Sequence, residues 1–211
     1  FNIVYSPKWT PGLSLGFIRW NVTYYEDISS NKTYFPSFGG VLTSGDKLLG
    51  NNALGGFIRW LWKDANAEFY TEFYANDSKA SFRDLLLDTD HSRAFTLGLQ
   101  KVFKSNKKSN VDYLFSWEWT SMGQTGSRLL RDARSWYEHN TVKHGYTNYG
   151  EVMGAAIGPG SNAQYFGLKR IEGTTQYGVS FEVVDQDNDS YIMVSKTQRT
   201  LDVTGRILTS D

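Results

Sequence analysis

The 211-residue chain contains no cysteine. Structural disulfides and thiolate metal sites are therefore excluded, although the absence assigns no compartment by itself. No stretch approaches the roughly 18 to 20 consecutive apolar residues that a membrane-spanning helix needs. An excess of either charge is also lacking, with 22 basic against 22 acidic side chains. A nucleic-acid surface would need surplus Lys and Arg, so no nucleic-acid partner is expected. Histidine is scarce, at His91, His139 and His144, and the last two lack a metal-ligand helix spacing. No metal site and no cofactor are expected. No signal peptide is visible. Phe1 opens on a strand-like run to Tyr5, and residues Thr209 to Asp211 form no closing aromatic strand. The 211 residues read as one domain, part of a longer chain.

What the chain has in abundance is aromatic rings: 7 Trp, 13 Tyr and 13 Phe, 16% of all residues. Its mean hydropathy is nevertheless negative. A soluble domain this polar rarely carries so many large rings. An outer-membrane β-barrel does, because Trp and Tyr form girdles at the two membrane interfaces while every second residue faces a wet lumen.

Apolar and polar residues alternate with period two over strand lengths, the signature of a strand with two unlike faces. After Asn110, the residues Val111, Tyr113, Phe115, Trp117 and Trp119 oppose Asp112, Leu114, Ser116, Glu118 and Thr120. Tyr177, Val179, Phe181 and Val183 oppose Gly178, Ser180, Glu182 and Val184. Ala67, Phe69, Thr71 and Phe73 oppose Glu68, Tyr70, Glu72 and Tyr74. In the second strand Ile18, Trp20, Val22 and Tyr24 oppose Phe17, Arg19, Asn21 and Thr23. The polar faces thus carry Arg19, Arg59, Glu68, Glu72, Glu118 and Glu182 in mid-strand. In a dry core such charges are costly unless paired. In a barrel they face the lumen, and the aromatic faces, with Phe115, Trp117, Val179 and Phe181, meet lipid.

Connection lengths add a second signal. Short connections at 6–12, 64–66 and 104–110 alternate with long ones at 25–52, 75–93 and 122–149. Short periplasmic turns and long outer loops produce that alternation. It is expected to fail after residue 157, where every connection reads as short. Ser81 to Leu87 and Gly126 to Arg134 are read as short helical segments in long loops. The pentapeptide GFIRW occurs at Gly16 to Trp20 and again at Gly56 to Trp60, with no longer repeat around it.

Three ordered stretches carry a resemblance. The first is Arg83, Asp84, Leu85, Leu86, Leu87, Asp88, then His91, Ser92, Arg93, Ala94. The second is Trp136, Tyr137, Glu138, His139, then His144, Gly145, Tyr146, Thr147, Asn148. The third is Gly150, Glu151, Val152, Met153, Gly154, then Ile157, Gly158, Pro159, Gly160, Ser161, Asn162. Together they resemble the Wzi-like capsule-assembly family. The resemblance implies a large outer-membrane barrel with an accessory periplasmic helical part, of which no helical bundle is visible here. It also implies a lectin-like, non-catalytic role with capsular polysaccharide.

Other readings are weaker. Asp185, Asp187 and Asp189 suggest a calcium loop, but its sixth and twelfth places hold Ser190 and Lys196 rather than Gly and Glu; a polar turn is expected. Glu68 with Glu72, or Glu118 with Glu182, suggests a glycosidase pair, but lumen charge ladders are the commoner cause. Ser92 beside His91 lacks a nucleophile elbow. Trp136, Tyr137 and Tyr146, with His139, form an aromatic and polar cluster suited to stacking on sugars, although packing at the barrel rim or an aromatic girdle is the commoner reason for such rings in a barrel.

The expected fold is thus an antiparallel transmembrane β-barrel in the bacterial outer membrane, all-β and part of a larger barrel. The expected function is non-enzymatic binding or organisation of surface polysaccharide, with Trp136 and Tyr146 as stacking platforms. The alternative is a structural subunit of a multi-protein outer-membrane complex. Expected partners are outer-membrane lipid, polysaccharide and other outer-membrane proteins.

Overall fold

A computed structural model describes residues 2–22, 51–76, 92–105, 110–124, 135–138, 145–149, 151–187 and 189. The strands are β1 (Asn2–Tyr5), β2 (Leu13–Val22), β3 (Asn51–Trp62), β4 (Ala67–Asn76) and β5 (Arg93–Lys104). They continue with β6 (Val111–Ser121), β7 (Thr147–Asn148), β8 (Glu151–Val152), β9 (Asn162–Glu172) and β10 (Thr175–Asp185). Eight of them form one sheet in the order β1-β2-β3-β4-β5-β6-β9-β10, and every pairing is antiparallel. This is an up-and-down meander, the connectivity of up-and-down barrels. The sheet is open, with β1 and β10 at its edges. The small β7–β8 ribbon belongs to the connection between β6 and β9.

Turn chemistry explains the tight ends. Between β3 and β4 the Asn66 N–H donates to the Lys63 carbonyl at 3.0 Å. Asn66 takes φ 47°, which asparagine tolerates better than most residues. Between β9 and β10 only two residues intervene, and Gly173 supplies the positive φ of 58° that a tight hairpin requires.

Connections at 6–12, 63–66, 105–110 and 173–174 leave one end of the sheet; those at 23–50, 77–92 and 122–161 leave the other. The short–long alternation therefore does not fail after residue 157. Residues 158–161 are the last part of one long connection, and 173–174 is the next short turn. The expected helical segments Ser81 to Leu87 and Gly126 to Arg134 lie outside the described residues.

The two faces are unlike. Trp62, Phe73, Phe103, Phe166, Val179 and Phe181 share one face and are exposed. The buried apolar residues packed under the loop are small or few: Ala53, Ala94 and Met122 with Trp136. A soluble sheet buries its large apolar side chains and exposes polar ones; here large apolar side chains on one face are exposed.

Candidate functional site

Register places the charges. Ser14, Arg59, Tyr70, Gly98, Glu118, Tyr165 and Glu182 form one cross-strand row from β2 to β10. Glu68 and Glu72 flank Tyr70 at two-residue steps on β4, so they share its face. Five of the six expected charges are thereby brought to one polar face. The sixth, Arg19, is a correction. It pairs with Leu54, which pairs with Ala75, and this parity puts it on the apolar face. Ile18 and Trp20, expected on the aromatic face, lie instead with Glu72 and Glu118 around one cavity. The physical reason is packing: Trp20 meets Tyr146 of the β6–β9 connection at 4.2 Å between ring centroids, which fixes the parity of β2. Arg19 is 5% exposed.

Tyrosines organise the polar face. A Cβ on Gly98 would overlap the Tyr70 ring, one on Gly55 the Tyr74 ring, and one on Gly16 the Phe57 ring. Each ring stands directly across from its glycine in the register. The missing side chains let the rings lie flat across the neighbouring strand, a cross-strand contact that also covers the glycine backbone. So laid, Tyr70 donates its hydroxyl proton to Glu118 Oε2 at 2.5 Å, and Tyr74 donates to Glu72 Oε2 at 3.2 Å. Arg59 Nε donates to Glu68 Oε1 at 2.5 Å.

The β6–β9 connection covers this face. Trp136 packs on Ala53, Ala94 and Met122 and is 3% exposed. It cannot serve as the open stacking platform expected of it; burial makes it the foot of the loop. Tyr137 and Tyr146 stack in parallel, with centroids 5.5 Å apart and planes 9° apart. Backbone bonds hold them: Tyr146 N–H donates to Tyr137 O at 3.0 Å, and Met153 N–H to Tyr146 O at 3.1 Å. Ala155 N–H donates to the Tyr137 hydroxyl at 2.9 Å. Burial pushes the Tyr137 phenol above its usual pKa, against the opposing pull of that Ala155 bond. Burial first, then Tyr137 itself, pushes Tyr146 up. Both rings thus keep their protons at neutral pH and can act as donors. His139 lies outside the described residues.

Between loop and sheet is a cavity of about 590 Å³. Its wall includes Trp20, Tyr70, Glu72, Glu118, Tyr137 and Tyr146. The two groups singled out in the sequence, strand carboxylates and loop aromatics, meet there. Arg59 and Glu68 border an adjoining hollow of about 330 Å³ that shares Ile18, Tyr70 and Glu72 with the cavity, and Glu182 borders neither. Glu68 and Glu72 are four residues apart on one strand, about 13 Å between Cα atoms, and Glu68 is held in the ion pair with Arg59.

Sequence reasoning missed how the loop is fastened. Asp189, 4% exposed, accepts the Gln124 N–H at 2.7 Å and the Ser135 hydroxyl at 2.9 Å. Gln124 in turn accepts the Ser92 N–H at 3.0 Å, and Asp187 N–H donates to Ser161 Oγ at 3.1 Å. The alternating aspartates were the available signal, but their pattern names no partner. Among the described residues no group of His, Asp or Glu is arranged to hold a metal ion.

A single flat-ringed, meandering sheet, aromatic on one face and charged under a folded loop on the other, has a solved counterpart. The chain is similar to Wzi. Wzi is described as an outer-membrane protein involved in group 1 capsule assembly in Escherichia coli and as a carbohydrate-binding β-barrel. The likeness to Wzi has a TM-score of 0.63 at 17% identity and covers 89% of this chain and 37% of Wzi. At that identity it is a likeness of fold, and the fold is that of an antiparallel β-barrel, of which this chain spans little more than a third of Wzi's length. No protein-family model and no curated protein matches the sequence.

Proposed function

We propose that this chain is part of an outer-membrane β-barrel that binds or organises a surface polysaccharide without chemical change to it. The apolar face meets lipid; the polar face, with Arg59, Glu68, Glu72, Glu118 and Glu182, lines the interior. The observation that carries the reading is the cavity of about 590 Å³ between that face and the β6–β9 connection. Its aromatic rings offer apolar platforms, and its carboxylates and phenols offer hydrogen-bond partners, the mixture that fits a sugar. The cavity volume lies in the range of roughly 300 to 1,000 Å³ typical of ligand sites. The resemblance to a carbohydrate-binding barrel supports the same assignment.

In this reading Tyr146 and Tyr137 contact the glycan, Tyr70 sets the orientation of Glu118, and Trp136 supports the loop from beneath. The test is polysaccharide retention by cells carrying Tyr146→Ala at normal outer-membrane levels. Retention is expected to fall. Unchanged retention, together with a stoichiometric set of co-purifying membrane proteins after gentle detergent extraction, would replace this reading with that of a structural subunit.

A further inference from the structure

One phenol in the cavity wall is held more tightly than the others. Tyr137 takes φ 71°, a left-handed backbone conformation that bulky side chains seldom adopt. Such outliers persist only where the surroundings over-determine them, and they gather at ligand clamps. The surroundings of Tyr137 meet that condition. Its carbonyl accepts the Tyr146 N–H at 3.0 Å, and a Cβ on Gly145 would meet the same carbonyl oxygen. A Cβ on Gly154 would overlap the Tyr137 ring and its hydroxyl. Two glycines thus clear the space that this one residue occupies. The ring stacks on Tyr146, which in turn meets Trp20 of β2, so a run of rings ties its position to the sheet.

The hydroxyl of Tyr137 is fixed as well. A phenol has one proton to give and lone pairs that accept. The Tyr137 oxygen accepts the Ala155 N–H at 2.9 Å, so its accepting side is turned to the backbone and its proton points away from that bond. Among the described residues none accepts this proton. Two other phenols of the same wall differ, since Tyr70 gives its proton to Glu118 and Tyr74 gives its proton to Glu72. Gly154 and Ala155, the residues around the Tyr137 hydroxyl, border the cavity together with Tyr137 itself. A positioned donor therefore stands at the cavity wall.

We infer that the Tyr137 hydroxyl is the orienting donor of the cavity, giving its proton to an acceptor oxygen of the bound glycan, an assignment that rests on the polysaccharide reading above. Gly154 and Ala155 act as positioning residues for it. A sugar hydroxyl or ring oxygen, an amide carbonyl and a carboxylate all offer such an oxygen. A ligand that places no acceptor there leaves the donor unpaired, and this is how the residue contributes specificity.

The experiment uses the protein in detergent micelles, with Trp fluorescence as readout because Trp20 and Trp136 border the cavity. The probes are length-matched oligosaccharides of dextran, chitin and polygalacturonate, which offer hydroxyl, amide and carboxylate oxygens. Tyr137→Phe keeps the ring. It should weaken binding about three- to tenfold where the acceptor is a hydroxyl or amide oxygen, and more than about tenfold where it is a carboxylate. The probe with the largest loss identifies the oxygen. Gly154→Ala, which displaces the ring, should lose at least as much. Tyr149→Phe, the same change on a fully exposed ring of the same connection, should leave affinity unchanged. Replacing Tyr137 by 3-fluorotyrosine, at mildly acidic pH so that the phenol stays protonated, separates donation from support. Fluorine makes the hydroxyl a stronger donor and a weaker acceptor, so binding should tighten. A phenol that only braces Ala155 would brace it less well, and binding would weaken. Unchanged affinity in folded Tyr137→Phe, or binding by the fluorinated protein that is no tighter, would overturn the inference and leave the polysaccharide reading standing. Failure of all three probes to bind the unaltered protein would overturn both.

Discussion

Arg19 and Arg59 hold the fourth place in two copies of the pentapeptide GFIRW and lie on opposite faces of one sheet. The copies sit side by side, with Gly16 across from Phe57 and Phe17 across from Gly56. In an antiparallel pair a one-residue change of register exchanges the faces. Arg59 is left in an exposed ion pair with Glu68, whereas Arg19 is buried. Exposed pairs contribute little, so Arg59→Ala should leave stability nearly unchanged. Arg19→Ala empties a buried site and should cost on the order of 2 to 3 kcal/mol. Urea unfolding of the lipid-reconstituted protein measures both. A larger loss for Arg59→Ala would contradict this assignment of faces.

Gly98 is expected to be intolerant of any side chain. Its Cβ would collide with the Tyr70 ring, and lifting that ring breaks the bond to Glu118. Gly98→Ala should cost about 1 to 3 kcal/mol, the usual range for overpacking. Tyr70→Phe keeps the ring but loses a bond to a charged acceptor and should cost about 1.5 to 3 kcal/mol. In a double-mutant cycle Tyr70→Ala should remove most of the Gly98→Ala penalty. Additive losses would show that the ring and the glycine act independently.

Neighbouring residues on β10 should differ sharply in their response to charge. Phe181 is 64% exposed on the apolar face, and Glu182 stands in the charged row with Tyr165 and Glu118. With the apolar face in lipid, Phe181→Arg should cost about 2 to 4 kcal/mol at mid-membrane depth, and Glu182→Arg much less. Equal tolerance in a folding assay would remove lipid from the apolar face.

Topology is accessible to labelling because the chain has no cysteine of its own. Tyr149 is fully exposed in the β6–β9 connection, at the long-connection end, and Ala65 lies in the turn after β3. With long connections outside the cell, an impermeant thiol reagent on intact cells should label Tyr149→Cys and spare Ala65→Cys. The opposite pattern would invert the orientation.

Asp189 should control local order. Asp189→Ala removes acceptors from Gln124 N–H and Ser135 Oγ. Bonds to a charged acceptor are worth about 1.5 to 3 kcal/mol, and the loss should appear as faster hydrogen exchange at the Gln124 amide with the sheet intact. Exchange that speeds up equally in β4 and β5 would mean that Asp189 supports the whole sheet.

Strand identity and face were legible wherever rings and charges alternate strictly. On β6, Phe115, Trp117 and Trp119 against Ser116, Glu118 and Thr120 admit one reading, and the register agrees with it. On β2 the same logic misassigned Arg19, because Trp20 is an apolar ring on the polar face. Its partner there is Tyr146, 126 residues away in the numbering, and no local pattern encodes so remote a contact. Trp136 was conspicuous as a ring but not as a buried one, for the same reason. Tyr70 and Tyr74 were legible as polar-face residues; their reach across Gly98 and Gly55 depends on the register of three strands. The fastening at Asp189 joins three separate segments, so its partners emerge only when the chain is folded.

Rings that lie on glycines also set how much room stands above the wall. An upright tyrosine on β4 would fill the cavity beneath the loop. Laid flat, Tyr70 and Tyr74 pave the floor and keep the ceiling clear. Clearance is then adjusted one glycine at a time, with no strand added or removed. A mutation that lifts a single paving ring would shrink the cavity without moving the backbone.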